Sequence, residues 1–133
     1  MEVRKKLESW GMWGNELEVL LAQMISENFL NEERFARAYA RGKFRMNGFG
    51  KRRIIQRLKS YDISDFCIQV ALEEIDAHNY EDTLKHAIEK RISLKNITLS
   101  NPIEKQALFR YFLNKGFEGP LINSILNQIE FPG

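Results

Sequence analysis

The sequence predicts an all-α protein built from tandem three-helix repeats. Three observations support this prediction: apolar residues recur at the three- and four-residue spacing of amphipathic helices, the alternation typical of strands is nearly absent, and the chain contains only 3 prolines. Its 133 residues are most simply one domain, and 44% hydrophobic with 29% charged residues is typical of a folded globular chain.

Helix starts are marked in order along the chain by residues that cap helix N-termini. The asparagines that fit an N-cap position are Asn15, Asn31, Asn79 and Asn101. Asn31 is expected to begin a helix over about residues 31–46, and Gly50 stands at the start of the next helix. Pro102 fits the first position of its helix, where a missing N–H costs little.

The apolar pattern of a helical hairpin occurs three times in the sequence, with successive copies 51 and 54 residues apart. When Leu7 is aligned with Leu58 and Phe112, six further columns are apolar in every copy. These columns are Val3/Ile54/Leu108, Met12/Ile63/Phe117, Leu17/Ile68/Ile122, Leu20/Ala71/Ile125, Leu21/Leu72/Leu126 and Met24/Ile75/Ile129. The turn between the two helices carries, in the order of the copies, Gly11, Asp62 and Gly116.

A further helix precedes the second and the third copy, at about residues 31–46 and 79–95, and completes a three-helix unit in each case. We therefore expect one repeat domain over residues 1–133, with a partial first unit at 1–30, a second unit at 31–77 and a third at 78–133. The first repeat lacks its leading helix, so it is either degenerate or the sequence begins late. Its uncovered apolar face is expected to pack against the second unit, to remain loose or to form a dimer contact; otherwise we expect a monomer.

Positive charge is concentrated in residues 34–59, here called the basic window. It holds 10 lysines and arginines and no acid, whereas the rest of the chain holds 10 cations and 18 acids. We expect these cations to bind a partner or DNA: Arg34, Arg37, Arg41, Lys43, Arg45, Lys51, Arg52, Arg53, Arg57 and Lys59. A solvated basic surface is the ordinary alternative, but so complete an exclusion of acids favours binding, either to phosphates or to an acidic protein surface.

Both helices of the basic window carry unfavourable charge arrangements. On the first helix, an arginine stripe at Arg34, Arg37, Arg41 and Arg45 lies beside an expected core stripe at Phe35, Tyr39 and Met46. Like charges four residues apart repel by a few tenths of a kcal/mol per pair, and we expect no neighbouring acid to relieve them. The second helix begins with Lys51, Arg52 and Arg53, although a helix N-terminus favours anions by about 0.3–1 kcal/mol. An external anion, a phosphate or a partner's carboxylate, is therefore expected there.

Other kinds of chemistry find little support in the sequence. Cys67 is the only cysteine, which excludes an intramolecular disulfide and fits a reducing compartment. His78 and His86 lack further ligands at a standard metal spacing. No stretch has the pattern of a signal peptide or a membrane span. We expect a cytoplasmic protein that is not an enzyme and that needs no metal or cofactor.

The segment FLNEERFARAYARGKFRMNGFGKRRIIQRLKSYDIS, residues 29–64, resembles the RecX family of bacterial regulatory proteins. The motif positions are Asn31-Glu32, Arg34-Phe35-Ala36, Tyr39, Gly48-Phe49-Gly50, Leu58 and Ile63, with a motif core of Phe35, Ala36, Tyr39, Gly48, Gly50 and Leu58. Two positions depart from the family pattern, since Asn31 stands for an acid and Arg57 for a glutamate. The resemblance covers nearly the whole chain, and the family is itself built from tandem three-helix units.

The resemblance implies a modulator of the RecA recombinase. Such proteins lie along the groove of the RecA–single-stranded DNA filament and suppress its ATPase, strand-exchange and co-protease activities in DNA repair and the SOS response. An elongated, curved helical array suits this role, because stacked units contact several subunits at once. The residues alone leave two alternatives open, a sequence-tolerant nucleic-acid-binding module and a helical adaptor for an acidic protein surface.

Overall fold

In the computed structural model, the backbone is described for residues 14–133, and the side chains for residues 30–133 together with Val19, Gln23, Glu27 and Asn28. Within this part the chain forms six α-helices and no strand, so the all-α prediction is confirmed. The helices are α1 (Gly14–Asn47), α2 (Lys51–Ser60), α3 (Asp65–Leu72), α4 (Ala77–Lys95), α5 (Pro102–Asn114) and α6 (Gly119–Glu130). Each of these helices is too short or too polar to cross a membrane.

Helix α1 continues through the position where a new helix was predicted to begin. It is 34 residues long, and Asn31 is an exposed residue in its interior, so the N-cap predicted at Asn31 is wrong. Asn15 likewise lies inside α1 and not at its cap. The physical reason is that residues 15–41 contain no glycine or proline and are rich in alanine, leucine, glutamate and arginine, which favour an uninterrupted helix over a local cap.

The chain divides into two compact units, Met1–Phe35 and Ala36–Gly133. In the first unit, residues 14–35 are helical. The first hairpin copy begins with Val3 and Leu7, which lie outside the described residues, as does the expected uncovered face around them. The finer division into residues 1–30, 31–77 and 78–133 stays a prediction.

The second and third hairpin copies have the same turn geometry. After α2, Asp62 has a φ of 59°, and the N–H of Ile63 donates to the carbonyl of Leu58 at 3.1 Å. After α5, Gly116 has a φ of 105°, and the N–H of Phe117 donates to the carbonyl of Phe112 at 3.2 Å. Both helices therefore end in a left-handed residue with a bond that spans five residues, the Schellman arrangement. The alignment of these two copies is confirmed at the turn.

The repeated apolar columns form the core of the compact unit Ala36–Gly133. Its largest fully buried side chains include Ile54, Leu58, Ile68, Leu108, Phe117, Ile122 and Leu126. On α1 the buried residues are Ala36, Ala40 and Phe44, whereas Phe35 is 45% and Met46 is 86% exposed. The predicted core stripe through Phe35 and Met46 is therefore wrong, and the buried face is displaced by one residue. Two alanines allow close backbone approach, and the Phe44 ring contacts the Tyr80 ring at 5.7 Å between centroids.

Capping follows the sequence at α5 and departs from it at α4. The side chain of Asn101 accepts from the N–H of Ile103 at 2.9 Å, and Pro102 opens the helix, as predicted. Helix α4 begins earlier than predicted, because Asp76 is its N-cap and accepts from the N–H of Asn79 at 3.0 Å. The cap predicted at Asn79 is thus wrong. An aspartate three residues upstream supplies an equally good acceptor.

Candidate anion-binding site

The start of α2 is closed by the end of α5. Gly50 is the N-cap, and its N–H donates to the carbonyl of Lys115 at 2.8 Å. The N–H of Arg52 donates to the carbonyl of Gly116 at 2.9 Å. The positive end of the α2 dipole therefore meets the negative end of the α5 dipole. This contact explains why the first turn of α2 needs no acid, and it corrects the expectation that an external anion completes the backbone N–H groups there.

A buried tyrosine satisfies the next donor of α2. The Tyr80 hydroxyl accepts from the N–H of Lys51 at 2.9 Å and donates to the Glu118 carboxylate at 2.7 Å. Tyr80 is only 3% exposed, and its burial, with the bond to Glu118, raises the pKa of its hydroxyl above the ordinary value. The phenol therefore stays protonated. Its bond to the Glu118 carboxylate polarises the hydroxyl and strengthens the bond that its oxygen accepts from the Lys51 N–H.

Tyr80→Phe is expected to destabilise the fold by about 1–3 kcal/mol, because it leaves the Lys51 N–H and the Glu118 carboxylate without their shared partner. Chemical denaturation measures this loss. Tyr111→Phe is the matched control, since the Tyr111 hydroxyl makes no hydrogen bond in the described part of the chain. Equal stability of the two variants would contradict the assigned role of the Tyr80 hydroxyl.

Two glycines allow the α2 and α5 ends to touch. A methyl group added at Gly50 would overlap the backbone of Gly116 and Phe117. A methyl group added at Gly116 would overlap Arg53, and the φ of 105° at Gly116 is itself unfavourable for other residues. Close backbone approach is therefore the reason for glycine at both positions. Gly50 belongs to the predicted motif core, and its role is structural.

Three arginines of α2 line a cleft of about 530 Å³, here called the arginine cleft. Its polar lining consists of Arg52, Arg53, Gln56, Arg57 and Ser60 from α2, with Asn114 from the end of α5. Every one of its lining residues, all in the described part of the chain, is neutral or cationic. Guanidinium groups with neutral donors beside them suit a phosphate or a carboxylate, since each guanidinium presents two parallel N–H donors.

Three cations of the basic window, including Arg53 of the arginine cleft, lie against aromatic rings. The Arg53 guanidinium lies 4.1 Å from the centroid of the Phe49 ring, and Lys43 lies over the same ring at 5.7 Å. The Lys51 ammonium lies 4.7 Å from the centroid of the Tyr80 ring. Such contacts fix a cation without neutralising it. The exposed cations of the basic window are Arg34, Arg41, Arg45, Arg52, Arg57 and Lys59.

The arginine stripe of α1 is partly neutralised. Glu74, which follows α3, accepts from Arg37 at 3.2 Å and lies 3.6 Å from Arg41. The expectation that no acid relieves these like charges is therefore wrong. The sequence could not reveal it, because Glu74 is 37 residues from Arg37 along the chain. Arg37 and Arg41 consequently have a structural role as well as a charge.

Apart from Phe35, which is 45% exposed, the rest of the predicted motif core belongs to packing and turns. Ala36 and Leu58 are fully buried, and Tyr39 contacts the Tyr61 ring edge-on at 5.8 Å. Gly48 has a φ of 66° directly after α1. Among the described residues, no three histidines, cysteines or acids gather as metal ligands.

Comparison with known proteins connects this site to a family. The family model for "RecX, second three-helix domain" matches residues 31–72, which include the whole basic window. Over 129 residues the chain is 27% identical to the regulatory protein RecX of Clostridium perfringens, covering 96% of this chain and 60% of that relative. Over 133 residues it is 29% identical to the regulatory protein RecX of Thermotoga maritima, covering 97% of this chain and 74% of that relative. A third relative, the regulatory protein RecX of Herminiimonas arsenicoxydans, is 27% identical to the chain, and the match covers 82% of that relative. No solved structure matches the chain.

Proposed function

Because the chain is similar to RecX regulatory proteins over nearly its whole length, we propose that it belongs to the RecX family, binds the filament of RecA recombinase on single-stranded DNA and inhibits the filament's ATPase, strand-exchange and co-protease activities. A regulator of this kind acts by contact and requires no catalytic group of its own. The proposal places the protein in DNA repair and the SOS response, in the cytoplasm.

The observation that best supports the proposal is the arginine cleft. Arg52, Arg53 and Arg57 line it together, and no carboxylate in the described chain forms an ion pair with any of the three. We assign this cleft to phosphates of the filament's DNA. One guanidinium donates two parallel N–H bonds to two oxygens of a phosphate. A phosphate in the cleft therefore gains charge-assisted hydrogen bonds without displacing a carboxylate of the protein.

The two helices of the basic window contribute unequally in this proposal. Arg37 and Arg41 share Glu74, so a partner that binds them must compete with an existing ion pair. Arg52 and Arg57 are exposed and carry no such pair among the residues whose side chains the structure describes. Helix α2 therefore supplies the principal contacts, while α1 adds mainly long-range electrostatic attraction. Salt screens this attraction, because the Debye screening length is about 8–10 Å at 0.1–0.15 M ionic strength.

The test is the ATPase rate of RecA on single-stranded DNA while this chain is titrated into the assay. We expect the rate to fall with added protein and to recover at high salt, because the contacts are ionic. An unchanged rate at a concentration where the chain already binds bare oligothymidylate would contradict the regulatory proposal and favour a sequence-tolerant nucleic-acid-binding module. An unchanged rate without any DNA binding would favour the adaptor for an acidic protein surface.

A further inference from the structure

A second pocket, of about 240 Å³, opens between the C-terminal half of α4 and the end of α5. It is here called the tyrosine pocket. Its cations are Lys90, Arg91, Lys95 and Lys115, and its apolar walls include Leu94 and Tyr111. It shares no lining residue with the arginine cleft, and all of its cations lie outside the basic window. The RecX family model, which ends at residue 72, does not reach it.

The tyrosine pocket combines an apolar interior with uncompensated positive charge. None of its lining residues is acidic, and no carboxylate whose side chain the structure describes forms an ion pair with its four cations. Two of them are fixed by other contacts. The Arg91 guanidinium lies 3.5 Å from the centroid of the Tyr111 ring, and the Lys115 ammonium donates to the Asn47 carbonyl at 3.2 Å. Leu94 lies beside them and is 72% exposed, so its apolar side chain is open to contact with a partner.

We propose that the tyrosine pocket binds an acidic peptide segment that carries one apolar anchor residue. The anchor side chain enters the pocket and covers Leu94, while flanking carboxylates meet the four cations. Charge complementarity supports this occupant, because the pocket provides four cations and no anion. An apolar side chain in a small pocket, ringed by charge contacts, is the usual anchor of a short recognition segment.

A nucleic acid fits this pocket less well. Single-stranded nucleic acids gain much of their affinity from bases stacked on open aromatic faces. Arg91 already stacks on the Tyr111 ring, and Phe112, the other ring of the pocket, is only 4% exposed. The pocket therefore lacks an open stacking face, whereas a flexible aliphatic or aromatic side chain needs only an apolar cavity. This inference concerns a second partner site and does not depend on the proposed function of the arginine cleft.

The test uses a short fluorescein-labelled peptide of aspartates and glutamates with one central phenylalanine. Its fluorescence anisotropy is measured with the full chain, and oligothymidylate is measured in parallel. Leu94→Asp is expected to weaken peptide binding by at least about tenfold, because it removes an apolar contact and adds a repelling charge, while oligothymidylate binding stays unchanged. Leu94 is exposed, so the fold should persist, and circular dichroism checks this. Arg110→Ala is the matched control, an exposed cation on α5 outside the pocket.

Three outcomes would overturn the inference. The first is equal affinity for a peptide whose phenylalanine is replaced by serine, which would reduce the contact to charge alone. The second is unchanged peptide affinity in Leu94→Asp. The third is loss of oligothymidylate binding in Leu94→Asp, which would assign the pocket to nucleic acid.

Discussion

Gly116→Ala is expected to destabilise the protein by about 3–5 kcal/mol, since it combines an unfavourable backbone conformation with a steric overlap. A non-glycine residue in the left-handed region costs about 1–2 kcal/mol. The added methyl group also overlaps Arg53, so the start of α2 must move away from the α5 end. That movement weakens the bonds from Gly50 and Arg52 to the α5 turn, each worth about 0.5–1.5 kcal/mol.

Four glycine-to-alanine variants separate the two causes. Alanine at Gly50 tests the steric overlap alone, because the φ of −76° suits any residue. Alanine at Gly48 tests the backbone conformation alone, because φ is 66° and nothing lies within 4 Å of the added methyl group. Gly42 lies in α1 with open space around it, so alanine there should stabilise the helix by about 0.5–1 kcal/mol. Denaturant titration should rank the variants from Gly42, through Gly48 and Gly50, to Gly116 as the least stable. A Gly116 variant within about 1 kcal/mol of the wild type would contradict the close contact of α2 and α5.

The hairpin repeat could be predicted because its signals are local. Apolar columns recur at helical spacing, and the turn between them needs a residue that tolerates a positive φ, which Asp62 and Gly116 both supply. The positions where helices begin are harder to predict from the sequence. Asn31 followed by two glutamates has the composition of a cap, yet nothing stops the preceding helix from running through it. A cap signal competes with the helix propensity of its neighbours, and at Asn31 propensity prevailed.

The candidate site could be predicted in its charge and not in its geometry. The basic window is visible from the distribution of charge along the sequence, but the partners of its cations come from distant segments. Gly50 bonds to Lys115, and Arg37 bonds to Glu74, both across long stretches of chain. Which arginines share a cleft depends on where Asn114 lies relative to α2. Such long-range contacts leave no periodic pattern in the sequence, so sequence alone assigned equal roles to all ten cations.

Arg52→Glu combined with Arg57→Glu is expected to weaken binding to oligothymidylate by about a hundredfold or more at low salt. Both side chains line the arginine cleft and both are exposed, so the reversal changes the site with little effect on packing. Each charged hydrogen bond lost costs about 1.5–3 kcal/mol, and each new glutamate repels the phosphate. The variant should also bind with a weaker salt dependence. Its log–log slope should fall by about 1.4, since each phosphate contact on a single strand contributes about 0.7.

The matched control reverses the same amount of charge elsewhere. Lys85→Glu with Arg110→Glu changes two cations that line neither the arginine cleft nor the tyrosine pocket. If the control binds almost as well as the wild type while the cleft variant does not, the contact is specific to α2. If both double variants lose the same affinity and the same salt slope, binding depends on net charge, and the assignment of phosphate to Arg52 and Arg57 is wrong. Because net charge is equal in the two variants, any difference between them must come from where the arginines lie.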